Sequence, residues 1–245
     1  MWDKLITRIA RALFDKKLKP KDLDKELLLK TYEELQKGAK KGYGKEWDKL
    51  NKDGDLLVTE IQNNLYLFSA AKSYQQLVEF NELLVDDDGK IRKWTDFRRK
   101  VLAVHKTYNQ NYLQAEYQTA RRSSQAAKQW QKFEKDSDLF PNLMYRTVGD
   151  ERVRDEHDKL DGIIKPLNDK FWDTHYPPNG FRCRCSVQQT SKKATKGTPK
   201  VKIDKGFDNH VGKTGKVFNE EDHPYFAIPK KELDKLKKLK RPDDE

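Results

Sequence analysis

Two stretches, Leu56 to Phe80 and Trp94 to Phe133, contain no proline and carry apolar residues at three- and four-residue steps. Proline would remove a helical hydrogen bond and clash with the preceding turn, so chains of this pattern are expected to form long helices. In the second stretch Val101, Val104, Tyr108, Tyr112 and Ala115 keep the helical step. Ala120, Ala126, Ala127 and Trp130 continue it with small residues that permit close helix packing. The segment DDDG at 86–89 reads as the turn between the two helices. Of the 245 residues 37% are charged and 35% hydrophobic, against roughly 25% charged in ordinary globular chains. Compact cores with solvated helices around them follow.

Residues 2–17 place Trp2, Leu5, Ile6, Ile9, Leu13 and Phe14 on one helical face and Arg8, Arg11, Lys16 and Lys17 mostly on the other. This is a basic amphipathic helix that ends near Pro20. Its apolar stripe suits docking on a partner protein or on its own bundle better than lying on a membrane. A second helix is expected over 22–37, capped by Asp22, with Leu27, Leu28, Tyr32 and Leu35 inward and with Gly38, Gly42 and Gly44 breaking it. No run of about 18 apolar residues is present, so stable membrane insertion is not expected. Export is not expected either, since no apolar signal core follows Met1-Trp2-Asp3.

After Pro141 the texture changes. Short bursts rich in β-branched and aromatic residues, LMYRTV at 143–148 and FRCRCSV at 181–187, alternate with Gly-Asp, Asp-Gly and Asn-Gly turns. Residues 191–206 read as a lysine-rich surface loop, 217–229 as a returning strand and 230–241 as a lysine-dense terminal helix. The fold class is therefore α+β: a helical region over 1–140, a small domain with a short antiparallel sheet over 141–229, and a basic helix or tail over 230–245.

The chain's two cysteines stand one residue apart, too close for an unstrained disulfide. If 181–187 is extended, Phe181, Cys183, Cys185 and Val187 share one face, and both thiols point inward. With His157 and His175 upstream, Cys183 and Cys185 complete a set that tetrahedral zinc accepts. The same residues also make sense as small apolar core cysteines beside hydrogen-bonding histidines. Tyr176 to Gly180 reads as geometry: Pro177 and Pro178 fix an extended approach, and Asn179-Gly180 supplies a tight turn with positive φ. The segment NKDGDLLVTE at 51–60 resembles a calcium loop only superficially, because Lys49 occupies the first ligand position. A turn ahead of a helix accounts for it.

The net charge of +11 is uneven. Residues 1–49 hold 14 Lys+Arg against 9 Asp+Glu, and residues 190–245 hold 15 against 10, which leaves +1 for the middle. Basic ends suit an acidic partner such as nucleic acid. No phosphate-cradling glycine loop or nucleophile elbow is found. An enzyme reading, acting on nucleic acid or nucleotides, therefore has only His157 with Arg152 and Arg154 to build on. A charged helix start with paired side chains explains that run equally.

The series RTVGDERVRDEHDKLDG, PLNDKFWDTHYPPNG and FRCRCSV resembles the phage Mu F-like minor head proteins, also called head morphogenesis proteins. The elements that carry the resemblance are Arg154 with His157, Leu160-Asp161-Gly162, Phe171-Trp172, Pro177 to Gly180, and Cys183-Arg184-Cys185. One position departs: Asp155 stands where many relatives are expected to carry proline, so a different turn before His157 is expected. The resemblance implies a Mu F-like domain at 141–229 and a structural, non-enzymatic role in assembling the head at the portal vertex. The portal protein and major capsid or scaffold proteins are the implied partners. It also implies a location inside the virion head, and in the host cytoplasm during assembly. Basic ends would then contact packaged double-stranded DNA without sequence preference.

Overall fold

A computed structural model describes residues 2–221 and 223–242. Helices α1 (Trp2–Phe14), α2 (Lys25–Tyr43), α3 (Trp47–Lys52), α4 (Leu56–Glu82), α5 (Trp94–Thr107) and α6 (Gln114–Lys135) come first. They are followed by strands β1 (Asn142–Arg146), β2 (Ile164–Pro166) and β3 (Ser186–Thr190), interleaved with short helices α7 (Asp155–Asp158) and α8 (Phe171–His175). Helices α9 (Val211–Thr214) and α10 (Lys230–Leu236) complete the order. The sheet is antiparallel in the order β2-β1-β3, with Met144 opposite Ile164 and Tyr145 opposite Val187. This is the α+β class expected from the alternation of patterns.

The described residues pack as two compact units, neither of which coincides with 1–140. One gathers those within Met1–Leu35, Leu65–Ala115 and Pro224–Glu245; the other holds Gln36–Asn64 and Glu116–His223. In the first unit Leu5, Ile6, Ile9, Ala10 and Leu13 of α1 are buried with Leu27, Leu77, Phe80, Phe97 and Val101. The apolar stripe of α1 is thus consumed by the unit's own core and is not offered to a partner. Asp24, not Asp22, caps α2: its carboxylate accepts from the Leu27 N–H at 3.0 Å and pairs with Arg8 at 2.9 Å.

Several expected boundaries move. Helix α2 runs through Gly38 and Gly42 because these glycines face the α6 backbone. A Cβ on Gly38 would sit 2.7 Å from the Tyr117 carbonyl oxygen, and one on Gly42 1.8 Å from that of Arg121. The glycines are kept for close approach rather than for chain reversal. The run from 94 to 135 is helical throughout but takes π-type hydrogen bonding at Tyr108–Leu113. No strand forms over 217–229 among the described residues. Pro224 and Pro229 withhold ladder donors, and Pro224–Phe226 instead form a 3-10 turn. That turn is tied into the first unit: Phe226 lies 6.2 Å from Phe68, and Gln75 donates to the Ala227 carbonyl at 3.0 Å. The terminal helix is shorter than expected, ending at Leu236, and both Leu236 and Arg241 are buried. Asp55 caps α4 by accepting from the Val58 N–H at 2.9 Å, so the 51–60 segment is a turn ahead of a helix.

His105 on α5 is buried, accepts from the Gln76 amide at 2.9 Å through Nδ1 and packs on Trp2 at 5.4 Å. Burial pulls its pKa down to about 4, below the roughly 6.5 of an unfolded histidine. As the pH falls, the unfolded chain therefore takes up this proton first. Stability is untouched above about pH 6.5 and declines between there and about pH 4, by roughly 3 kcal/mol from this group. Urea unfolding at both ends of that window should show His105→Asn losing about that much less than the wild type.

Candidate functional site: the His-Cys-Cys corner

Everything in the site is carried by the second unit. Tyr145 on the central strand β1 is fully buried and donates its hydroxyl to the Asn179 side-chain oxygen at 2.9 Å. Asn179 also donates to the Thr174 carbonyl at 3.4 Å. Burial, and then the charge of a Cys183 thiolate, push the Tyr145 pKa well above its ordinary value, so the hydroxyl stays a donor. Tyr145→Phe would leave the buried Asn179 oxygen unpaired and should cost about 1–3 kcal/mol in chemical unfolding. A loss under about 0.5 kcal/mol would mean that water replaces the bond.

Around this strand the motif residues hold loops in place. Asp161 accepts from the Thr147 N–H at 2.7 Å and from Arg146 at 3.3 Å, while the Gly162 N–H donates to the Tyr145 carbonyl at 2.9 Å. Trp172 is wholly buried, and its Nε1 donates to the Pro166 carbonyl at 2.9 Å. Tyr176 donates to the Ala126 carbonyl of α6 at 2.9 Å and stacks on His210 at 4.3 Å. Next come Pro177 and Pro178, joined by a cis peptide bond, and Gly180. A Cβ at Gly180 would lie 2.2 Å from an Asp204 carboxylate oxygen and 2.9 Å from Arg154. Both of these atoms are the far ends of flexible side chains, which a Cβ would push aside. Gly180 has φ 159°, and Arg182 lies in the left-handed region at 60°.

That kink at Arg182 explains a further correction. Residues 181–185 form no strand: 181–182 make a turn, and β3 begins at Ser186. The two thiols therefore come together across an irregular corner instead of alternating along a strand. Cys183 is buried and Cys185 half-buried. The corner is braced by three arginines. Arg154 donates to the Phe181 carbonyl at 2.8 Å and pairs with Asp204 at 3.5 Å. Arg122 of α6 donates to the Cys183 carbonyl. Arg184 makes a two-pronged contact with Asp150.

His157 sits on α7, whose first turn holds Asp155 and Glu156, the charge a helix start favours. It is buried, and its Nδ1 lies 3.8 Å from Cys183 Sγ and 3.6 Å from Cys185 Sγ. All three donor atoms fall within 4.8 Å of one another. Of the two coupled thiols, Cys183 releases its proton more readily than a free cysteine. The hydrogen bond from the Cys185 thiol draws it down most, and His157 and backbone N–H groups assist against the opposing effect of burial. Cys185 then holds its proton more tightly, because of that same hydrogen bond and burial.

His175 does not join this group. It stacks on Phe171 at 4.5 Å and pairs with the Thr174 hydroxyl at 2.8 Å. The four-ligand set expected from composition is thus a three-residue set among the described residues. Tyr145, Arg122 and His210 matter to the site without having stood out in the sequence, and Asn179, read there as a turn residue, serves as the partner of Tyr145. Of the three, Tyr145 carried a local signal, as the central position of the LMYRTV burst.

A helix-backed three-stranded sheet with an Arg-braced Cys-x-Cys corner is the architecture on which the Mu F-like motifs fall. Residues 87–188 match the model of the family described as Phage Mu protein F like protein, so this chain carries a Mu F-like region. The putative capsid assembly protein F of Escherichia phage Mu is 39% identical over 75 residues, covering 31% of this chain and 17% of that protein. The Mu-like prophage FluMu F protein of Haemophilus influenzae is 42% identical over 57 residues, covering 23% of this chain and 14% of that one. The chain thus spans less than a fifth of the length of these two curated relatives. No solved structure matches it.

Proposed function

We propose that this protein is a phage or prophage minor head protein that acts in head morphogenesis at the portal vertex. In this reading its partners are the portal protein and the major capsid or scaffold proteins, and it resides inside the virion head after assembly in the host cytoplasm. The observation that carries it is the family match over residues 87–188, together with a relative named for capsid assembly. A structural part also suits the chemistry of the corner. His157 is buried against two sulfurs, and Arg154 is committed to a carbonyl and to Asp204. Two of the three side chains on which an enzyme reading would build, His157 and Arg154, thus have partners within the fold. No helix among the described residues is long and apolar enough to cross a membrane.

Contact with packaged DNA is the second part of the proposal and rests on the +5 charge at each end of the chain. Such contact is phosphate neutralisation, falling steeply with salt and indifferent to base sequence. Because the α1 stripe is buried, the portal contact falls to other faces. Deleting the reading frame from an inducible prophage and imaging the lysate tests the assignment. The expected result is normal tails with aberrant or empty heads, restored by the gene in trans. A full yield of DNA-filled infectious heads would overturn it.

A further inference from the structure

We infer that His157, Cys183 and Cys185 form a three-donor site for a thiophilic divalent cation, zinc by chemistry, whose fourth position is filled by an exchangeable donor from the adjoining cavity. This stands apart from the assembly reading and depends only on the corner's geometry. A tetrahedral zinc with bonds of about 2.3 Å to sulfur and 2.0–2.1 Å to nitrogen holds those atoms about 3.6 Å apart. The imidazole nitrogen here lies 3.6 and 3.8 Å from the two sulfurs, and all three atoms sit within 4.8 Å. A single N–H or lone pair on Nδ1 shared between two sulfurs at 3.6 and 3.8 Å makes only a long three-centre contact. A cation between them satisfies all three donors at once.

The surroundings fit the same conclusion. Two thiolates balance a dication, each thiol giving its proton to solvent as the metal binds. Two of the nearby guanidiniums are paired with carboxylates, Arg184 with Asp150 and Arg154 with Asp204, and Arg122 donates to the Cys183 carbonyl. They also brace the backbone that carries the ligands, which prepares the donors without distortion. No fourth His, Cys, Asp or Glu joins the group among the described residues. A cavity of about 120 Å³ lined by all three donors and by Arg152, Arg154, Arg182 and Arg184 opens on it, so the exchangeable donor it admits is best an anion or water. An open fourth position is the arrangement through which zinc exchanges a bound water for another donor.

The full-length protein, kept reduced and exposed to zinc before desalting, should retain one zinc per chain by elemental analysis. Cys183→Ser, Cys185→Ser and His157→Ala should each weaken binding by about tenfold or more, and His175→Ala should leave it unchanged. Since losing a buried ligand also loosens packing, the unaltered protein gives independent readouts. Its thiols should resist alkylation until a chelator is added. Its cobalt form should show thiolate-to-metal charge transfer, and its spectrum should shift when imidazole or azide is supplied. Protein that retains no metal, binds it equally without Cys185, or loses it with His175→Ala overturns the site. A cobalt spectrum that no added donor alters overturns the open position.

Discussion

Trp172→Ala lowers the stability of this protein by about 3–5 kcal/mol, read as a fall in the urea midpoint at an unchanged slope. The indole is wholly buried, edge-on to Phe171 at 4.8 Å, and its Nε1 donates to the Pro166 carbonyl at 2.9 Å. Removing it opens a large void and takes from the carbonyl that ends β2 one of its two donors, the other being the Asp169 N–H at 3.0 Å. Trp172→Phe separates the two effects. It keeps most of the volume but not the hydrogen bond, so it should cost about 1–2 kcal/mol. Domains of ordinary stability have about 5–15 kcal/mol in all, so the alanine variant should be partly unfolded on mild warming. Equal losses in the two variants would show that the bond, not the packing, is what counts.

The second large effect has the opposite sign from what helix propensity alone predicts. Alanine in place of glycine inside a helix normally stabilises by up to about 1 kcal/mol. Gly42→Ala should instead destabilise by about 3 kcal/mol, because its Cβ would be placed 1.8 Å from the Arg121 carbonyl oxygen. Backbone cannot rotate away as a side chain can, so α2 and α6 must separate and repack. Gly38→Ala, with its clash at 2.7 Å, should cost about half as much. Thermal unfolding of both variants checks the order. A stabilised Gly42→Ala would mean that the two helices do not cross at this point.

These two residues show what could be read from the chain alone. Helices α1, α4, α5 and α6 were legible because amphipathic spacing is local, and Trp172 stood out as part of an aromatic motif. The role of Gly42 was inverted, since its neighbour is a backbone atom nearly eighty positions away and no local pattern records that. His175, ten residues before Cys185, was nearer in sequence to the thiols than His157. The fold instead turns it onto Phe171 and delivers the more distant histidine through α7. The strand start at Ser186 was missed because Arg182 adopts a left-handed backbone, which an arginine does not advertise. Prolines at 224 and 229 did advertise the absence of a strand, but the apolar residues between them suggested one.

The first unit collects residues from the beginning, the middle and the end of the chain, with Tyr225 and Phe226 set against Phe68. During synthesis that unit cannot close until the residues from Pro224 onward have been made. The second unit, whose segments finish at His223, has its full set of residues slightly earlier. Translation therefore supplies the complete thiol-bearing module first and leaves the residues after His223 to seal the unit that holds α1.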